Sequence, residues 1–114
     1  MTNAPLVAIP GRFSASASAL RYQAVVTARA LSASVLRAGG EPLTIHPVAP
    51  RGGPGPDELD RRLGFVDAVL LPGGGDLSPA CYGQPTESEA VYDVDDEQDG
   101  FDLAVARWAI DRGV

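Results

Sequence analysis

The residues with chemistry to offer are few in this 114-residue chain: one cysteine, Cys81, one histidine, His46, a glycine turn in "LPGGGD", and an acidic run near the end. A cysteine acts as a nucleophile when a base lies within hydrogen-bond reach. Cys81 falls among turn residues in "LSPACYG", with no strand-to-helix elbow to present a thiolate, and nothing in the spacing brings His46 to it. It is expected to be a surface or half-buried thiol. The glycine turn offers backbone instead. Gly73, Gly74, Gly75 and Asp76 follow the apolar run "FVDAVLLP". Glycines tolerate positive φ and let a ligand come close to main-chain N–H groups, which hold a phosphate or the oxyanion of an acyl-transfer intermediate. The phosphate reading is the weaker one. The chain has no lysine, no Ser/Thr opens a helix after the turn, and the third spaced glycine of a dinucleotide loop is missing. A plain tight turn is the bland alternative.

The acidic run "YDVDDEQDGFD" carries Asp93, Asp95, Asp96, Glu97, Asp99 and Asp102. Asp95, Glu97, Asp99 and Gly100 imitate a calcium loop, but its twelfth position is Ala106, where a bidentate glutamate is required. No metal site is expected. These carboxylates suit the positive end of a following helix. Arg21, Arg29 and Arg37 read as a solvated helix face.

Several function classes drop out on composition. A net charge of −6 disfavours nucleic acid and acidic membrane as partners. One cysteine excludes an internal disulfide and any multi-thiolate zinc site. No apolar run is long enough for a bilayer and "MTNAPLVAIPG" lacks the features of a signal peptide, so a cytoplasmic location is expected. The length suits one small domain with a modest core.

The elements that must position these groups alternate. "LVAIP" reads as a buried strand, "GRFSASASA" as a loop, and about Ala19 to Ala38 as a helix with Leu20, Ala24, Ala28, Leu31 and Val35 on one face. Gly39-Gly40 ends that helix and Pro42 stops its continuation. "PLTIHPV" is a second strand, and Asp57 is a candidate cap for a short helix, "DELDRRLG". "FVDAVLLP" is a third strand. "FDLAVARWAID" is a last helix with Phe101, Val105, Trp108 and Ala104 facing inward and Gly113 closing it. The pattern predicts α/β architecture, a parallel sheet with right-handed crossovers. Three strands make a small open sheet with a bare apolar edge, so the chain is expected to be a fragment or to pair with something. Ligand groups in such sheets gather beyond the carboxyl ends of the strands, where "LPGGGD" falls.

The order "LVAIPGR", "RYQAV…LRAGGEPLTIHP", "VDAVLLPGGGDLSPACYG", an acidic segment and "FDLAVARWAIDRGV" resembles the N-terminal half of class I glutamine amidotransferase-like hydrolases, most closely the gamma-glutamyl hydrolases acting on gamma-glutamyl-GABA. The resemblance covers residues 1–114 as the N-terminal part of such a domain. Its most specific piece is a G-G-x-D-x-x-P-x-x-Y-G pattern through Gly73 or Gly74, Asp76, Pro79, Tyr82 and Gly83. The resemblance implies a flavodoxin-like three-layer α/β/α sandwich, present as an incomplete N-terminal portion. It also implies a Cys-His-Glu triad that cleaves gamma-glutamyl amide bonds through a cysteine thioester, with no metal or organic cofactor. The backbone amide of Gly74 would line the oxyanion hole, with Gly73, Gly75 and Asp76 shaping the substrate side. Donors of this kind contribute about 3 kcal/mol of barrier lowering.

The chain departs from that pattern in two places. The G-x-C-x-G nucleophile elbow should follow "IDRGV", and neither it nor the triad His and Glu is within residues 1–114; Cys81 does not correspond to the nucleophile. The family's Arg-Asp and later Glu before the last helix appear here as Gln98-Asp99 and Asp102. The chain alone is therefore expected to be inactive. Two function classes stay open: a gamma-glutamyl hydrolase whose triad half lies elsewhere, and a catalytically inactive truncated domain serving as a binding or assembly module. A small nucleotide-binding domain is a third, weaker reading. The partners expected are a small gamma-glutamyl substrate and either further copies of the chain or a complementary C-terminal polypeptide.

Overall fold

The computed structural model describes residues 4–14, 24–47, 53–72 and 96–114. The element order is β1 (Leu6–Pro10), β2 (Arg12–Ser14), β3 (Ala24–Val26), α1 (Arg29–Arg37), β4 (Glu41–Ile45), α2 (Pro56–Leu63), β5 (Ala68–Val69) and α3 (Asp96–Arg112).

The main sheet has the order β4-β1-β5, all parallel. β1 is its centre because "LVAIP" is apolar on both faces, and Ala8 and Ile9 are fully buried. Leu6 pairs with Glu41 and Pro10 with Ile45 on one side, and Val7 with Ala68 on the other. Gly11 N–H continues the first ladder to Ile45 C=O at 2.8 Å, and Leu70 N–H continues the second to Ala8 C=O at 2.9 Å. β5 is shorter than the apolar run around it. Asp67 explains one limit: its carboxylate accepts Leu6 N–H at 2.8 Å while its own N–H donates to Leu6 C=O, and Phe65 before it is exposed.

Ala8 belongs to a core with Leu59, Leu63 and Val66 of the α2 region and Phe101, Val105, Trp108 and Ala109 of α3. Val7, which points to the opposite face by strand alternation, lies beside Gly40 and Val35, the one buried residue of α1. Helices thus cover both faces of the sheet. The layering is α/β/α, as a flavodoxin-like partial fold requires. Burial of a side chain such as Phe101 stabilises by about 1.5–3 kcal/mol.

The local rules hold well for helix ends. Gly39 at φ 93° follows α1, with Gly39 N–H to Leu36 C=O and Gly40 N–H to Val35 C=O, a Schellman pair that satisfies the last carbonyls. Gly113 ends α3 the same way. Asp57 is not a cap. Gly55 takes the N-cap, and Pro56 occupies the first helical position because its missing N–H would be unpaired there anyway. Asp57 and Glu58 instead sit in the first turn, favourable to the helix dipole.

The largest difference from the sequence reading concerns residues 24–28. The helix expected from about Ala19 begins only at Arg29, and Ala24–Val26 form a strand antiparallel to Arg12–Ser14. Val25, Val26 and Thr27 are consecutive β-branched residues, which lose side-chain freedom in a helix and fit a pleated ribbon. Thr27 and Thr44 share a hydroxyl hydrogen bond at 2.8 Å, tying the ribbon to β4. Residues 19–23, Arg21 among them, lie outside the described residues; Arg29 and Arg37 are exposed, as expected. Among the described residues no helix is long and apolar enough to cross a membrane.

Candidate functional site at the carboxyl edge of the sheet

The carboxyl ends of β1, β4 and β5 share one edge of the sheet, since all are parallel. β1 leaves it through Pro10-Gly11-Arg12, β4 through His46-Pro47, and β5 through Leu70 to Pro72. The β1–β5 pairing runs through Val7–Ala68 and Ala8–Val69, and Leu70 N–H still reaches Ala8 C=O before the chain leaves the sheet. Gly73, Gly74, Gly75 and Asp76, the expected oxyanion and substrate residues, lie outside the described residues, as does Cys81.

What the described residues do show is how the β1 end is held. A Cβ built on Gly11 would stand 2.4 Å from Val25 Cγ1 and 3.3 Å from Thr44 Cγ2, so only glycine lets β3 pass over the turn. α3 grips the same turn from its N-terminal half. Gln98 accepts Phe13 N–H at 2.9 Å and donates to Gly11 C=O at 3.0 Å. One turn further along, Asp102 accepts both terminal nitrogens of Arg12, NH1 at 2.5 Å and NH2 at 2.9 Å. Gln98 also donates to Asp102 at 3.3 Å. Arg12 NH2 reaches back to Pro10 C=O at 3.3 Å. The ion pair is mostly withdrawn from solvent, at 19% and 17% side-chain exposure, so salt screens it less than a surface pair.

His46 is on this edge and exposed, and Arg62 of α2 donates to its main-chain carbonyl. The Arg62 guanidinium also stacks 5.1 Å from the centre of the Phe101 ring, so one side chain links β4, α2 and α3. Among the described residues, no group of three or more His, Cys, Asp or Glu is arranged to hold a metal ion. Asp96 to Gly100 are helical, which also rules out a calcium loop wrapping there.

Away from this edge, Asp60 of α2 accepts the Trp108 indole N–H at 2.8 Å and the Arg112 guanidinium at 2.9 and 2.7 Å. The Arg112 hydrogen bonds, and after them the indole, hold the Asp60 carboxyl below its ordinary pKa, and Asp60 in turn raises that of Arg112. This network joins the two helices and takes no part in the edge.

Arg12 and Gln98 are the residues that sequence reasoning missed as a pair. The available signal was Arg12 directly after the strand-closing "PG", and Gln98 with Asp102 at helical i,i+4 spacing. Asp102 was read as one of six helix-favouring carboxylates, whereas it pairs with a cation 90 positions away.

No curated protein matches the chain. The Peptidase C26 family model matches residues 5–114, nearly the whole sequence. The chain therefore belongs to Peptidase C26, a family of class I glutamine amidotransferase-like hydrolases.

Proposed function

We propose that this chain supplies the oxyanion-hole half of a hydrolase of gamma-glutamyl amide bonds, with gamma-glutamyl-GABA-like or glutamine-like compounds as substrates. The observation that carries the reading is the Peptidase C26 match over residues 5–114, supported by a parallel sheet whose strand β5 precedes "PGGGD" in the sequence. In this reading a cysteine thiolate attacks the gamma-glutamyl amide carbon. The carbonyl oxygen becomes an oxyanion that accepts the Gly74 N–H, and the amine leaves with a proton from the histidine. Water then attacks the thioester, the oxyanion forms a second time, and glutamate is released as the thiol is restored. Gly73 and Gly75 keep the turn bare, and Asp76 lies on the substrate side. The chemistry uses no metal or organic cofactor.

Cys81 is not the nucleophile in this account, and His46 is not the base. Those groups belong to a polypeptide segment other than residues 1–114, on a complementary chain or a continuation, and an assembly with it or with further copies is part of the proposal.

The test is release of glutamate from gamma-glutamyl-GABA by the purified protein together with its triad-bearing polypeptide, before and after iodoacetamide. Release that alkylation abolishes supports the reading. Undiminished release after complete alkylation, or none before it, contradicts it.

A further inference from the structure

A groove of about 240 Å³ lies between the start of α2 and α3, and none of its lining residues belongs to the carboxyl edge of the sheet. Its volume is just below the usual range of about 300–1,000 Å³ for small-molecule sites, which suits a ligand the size of one amino acid. Pro54 and Leu59 in its lining are buried, and Trp108 beside them is nearly so, which makes the floor apolar. Both walls are held in place. Proline fixes φ at Pro54 and Pro56. The same wall lies hard against α3: Gly53 is at φ 89°, and a Cβ built on it would stand 2.7 Å from the Gly100 carbonyl oxygen and 3.4 Å from Ala104 Cβ. On the α3 side, the indole of Trp108 and the guanidinium of Arg112 are both drawn onto the Asp60 carboxylate. A groove held on both sides needs little reordering to receive a ligand.

The charges around the groove narrow what that ligand is. Arg112 is engaged by Asp60. The other charged lining residues, Arg107 and Asp111, are exposed and one helical turn apart on α3. Among the described residues neither of them is in an ion pair. A ligand with a carboxylate alone would meet the like charge of Asp111, and one with an amine alone would meet that of Arg107. A ligand carrying both charges beside an apolar body matches the groove.

We propose that this groove binds a free amino acid with an apolar side chain, its carboxylate on Arg107, its ammonium on Asp111 and its side chain on Pro54, Leu59 and Trp108. A free amino acid bears both charges on one carbon, whereas a peptide end bears one. The site uses no residue of the carboxyl edge and stands apart from the hydrolase reading.

The test is titration of the purified protein with L-phenylalanine, followed by the fluorescence of Trp108, the only tryptophan of the chain. Three comparison ligands each lack one part: hydrocinnamate the ammonium, phenethylamine the carboxylate, and L-serine the apolar body. L-Phenylalanine should bind saturably with a Kd of about 1 mM, and each comparison ligand about threefold more weakly or worse. Arg107→Ala should weaken L-phenylalanine about threefold and leave phenethylamine unchanged. Asp111→Asn should do the same to L-phenylalanine and leave hydrocinnamate unchanged. Both residues are exposed, so thermal midpoints of the two variants should stay close to that of the unsubstituted protein. No saturation at about twenty times that Kd overturns the proposal. So does hydrocinnamate, phenethylamine or L-serine binding as tightly as L-phenylalanine, and so does a Kd that neither substitution moves.

Discussion

Trp108 of α3 donates its indole N–H to Asp60 of α2 at 2.8 Å, and Arg112 closes on the same carboxylate from the surface. The pair of helices that covers one face of the sheet is thus locked by a carboxylate at its rim, with Trp108 itself only 4% exposed. A buried indole N–H needs an acceptor, and Asp60 is the one it has.

That relationship predicts a pH dependence. Asp60 is held below its ordinary value of 3.8, so the folded state favours its charged form. Its contribution to stability is complete above that value and is lost as pH falls through the lower folded pKa. Asp60→Asn should flatten the acid limb of the denaturation profile while changing stability little at neutral pH, where the pair is solvent-exposed and screened. Urea melts across the acid range would show this. An unchanged acid limb would mean the carboxylate is not linked to folding.

Phe101 is fully buried at the centre of the cluster that joins α3 to Ala8 of β1. Phe101→Ala should destabilise by about 3–5 kcal/mol, by transfer and cavity terms together. It also removes the ring under Arg62. Thermal unfolding should show a much lower midpoint, and a shift of a degree or two would contradict the core described here.

Gly11→Ala places a methyl group where Val25 Cγ1 now stands, 2.4 Å from the built Cβ. Overpacking of this kind typically costs about 1–3 kcal/mol. Val25→Ala in the same chain should recover part of the loss, and a double-mutant cycle measures the coupling. Additive effects would mean that β3 does not press on the turn.

These positions show which parts of the structure were legible in the residues. The parallel strands and the last helix were, because "LVAIP" and the Phe101, Val105, Trp108 spacing each match one period and nothing competes with it. The antiparallel ribbon was not: Arg12–Ser14 reads as part of a loop and Ala24–Val26 as helix, yet both are strands. A three- and four-residue apolar spacing through Ala24 and Ala28 reads as helix, and only the antiparallel partner Arg12–Ser14 turns the β-branched run into a ribbon. The site divides similarly. The glycine turn is a local signal in the sequence, and Gly73–Gly75 lie outside the described residues. Arg12 with Asp102 is a long-range pair, and no local pattern announces that a cation at the end of β1 will meet a carboxylate in α3.

Cys81→Ser should leave gamma-glutamyl hydrolysis within about twofold of the unsubstituted protein, because in the proposed mechanism this thiol carries no bond-making step. Steady-state kinetics decide this. Loss of turnover would move the nucleophile into this chain and overturn the division of labour proposed above.

The most direct measurement is intact and peptide-level mass spectrometry of the active protein, quenched in acid during turnover of gamma-glutamyl-GABA. The account predicts a gamma-glutamyl thioester on a cysteine other than Cys81, sensitive to hydroxylamine and absent after iodoacetamide. An adduct on Cys81, or sustained turnover with no thiol adduct in any polypeptide under conditions that trap thioesters, would contradict it.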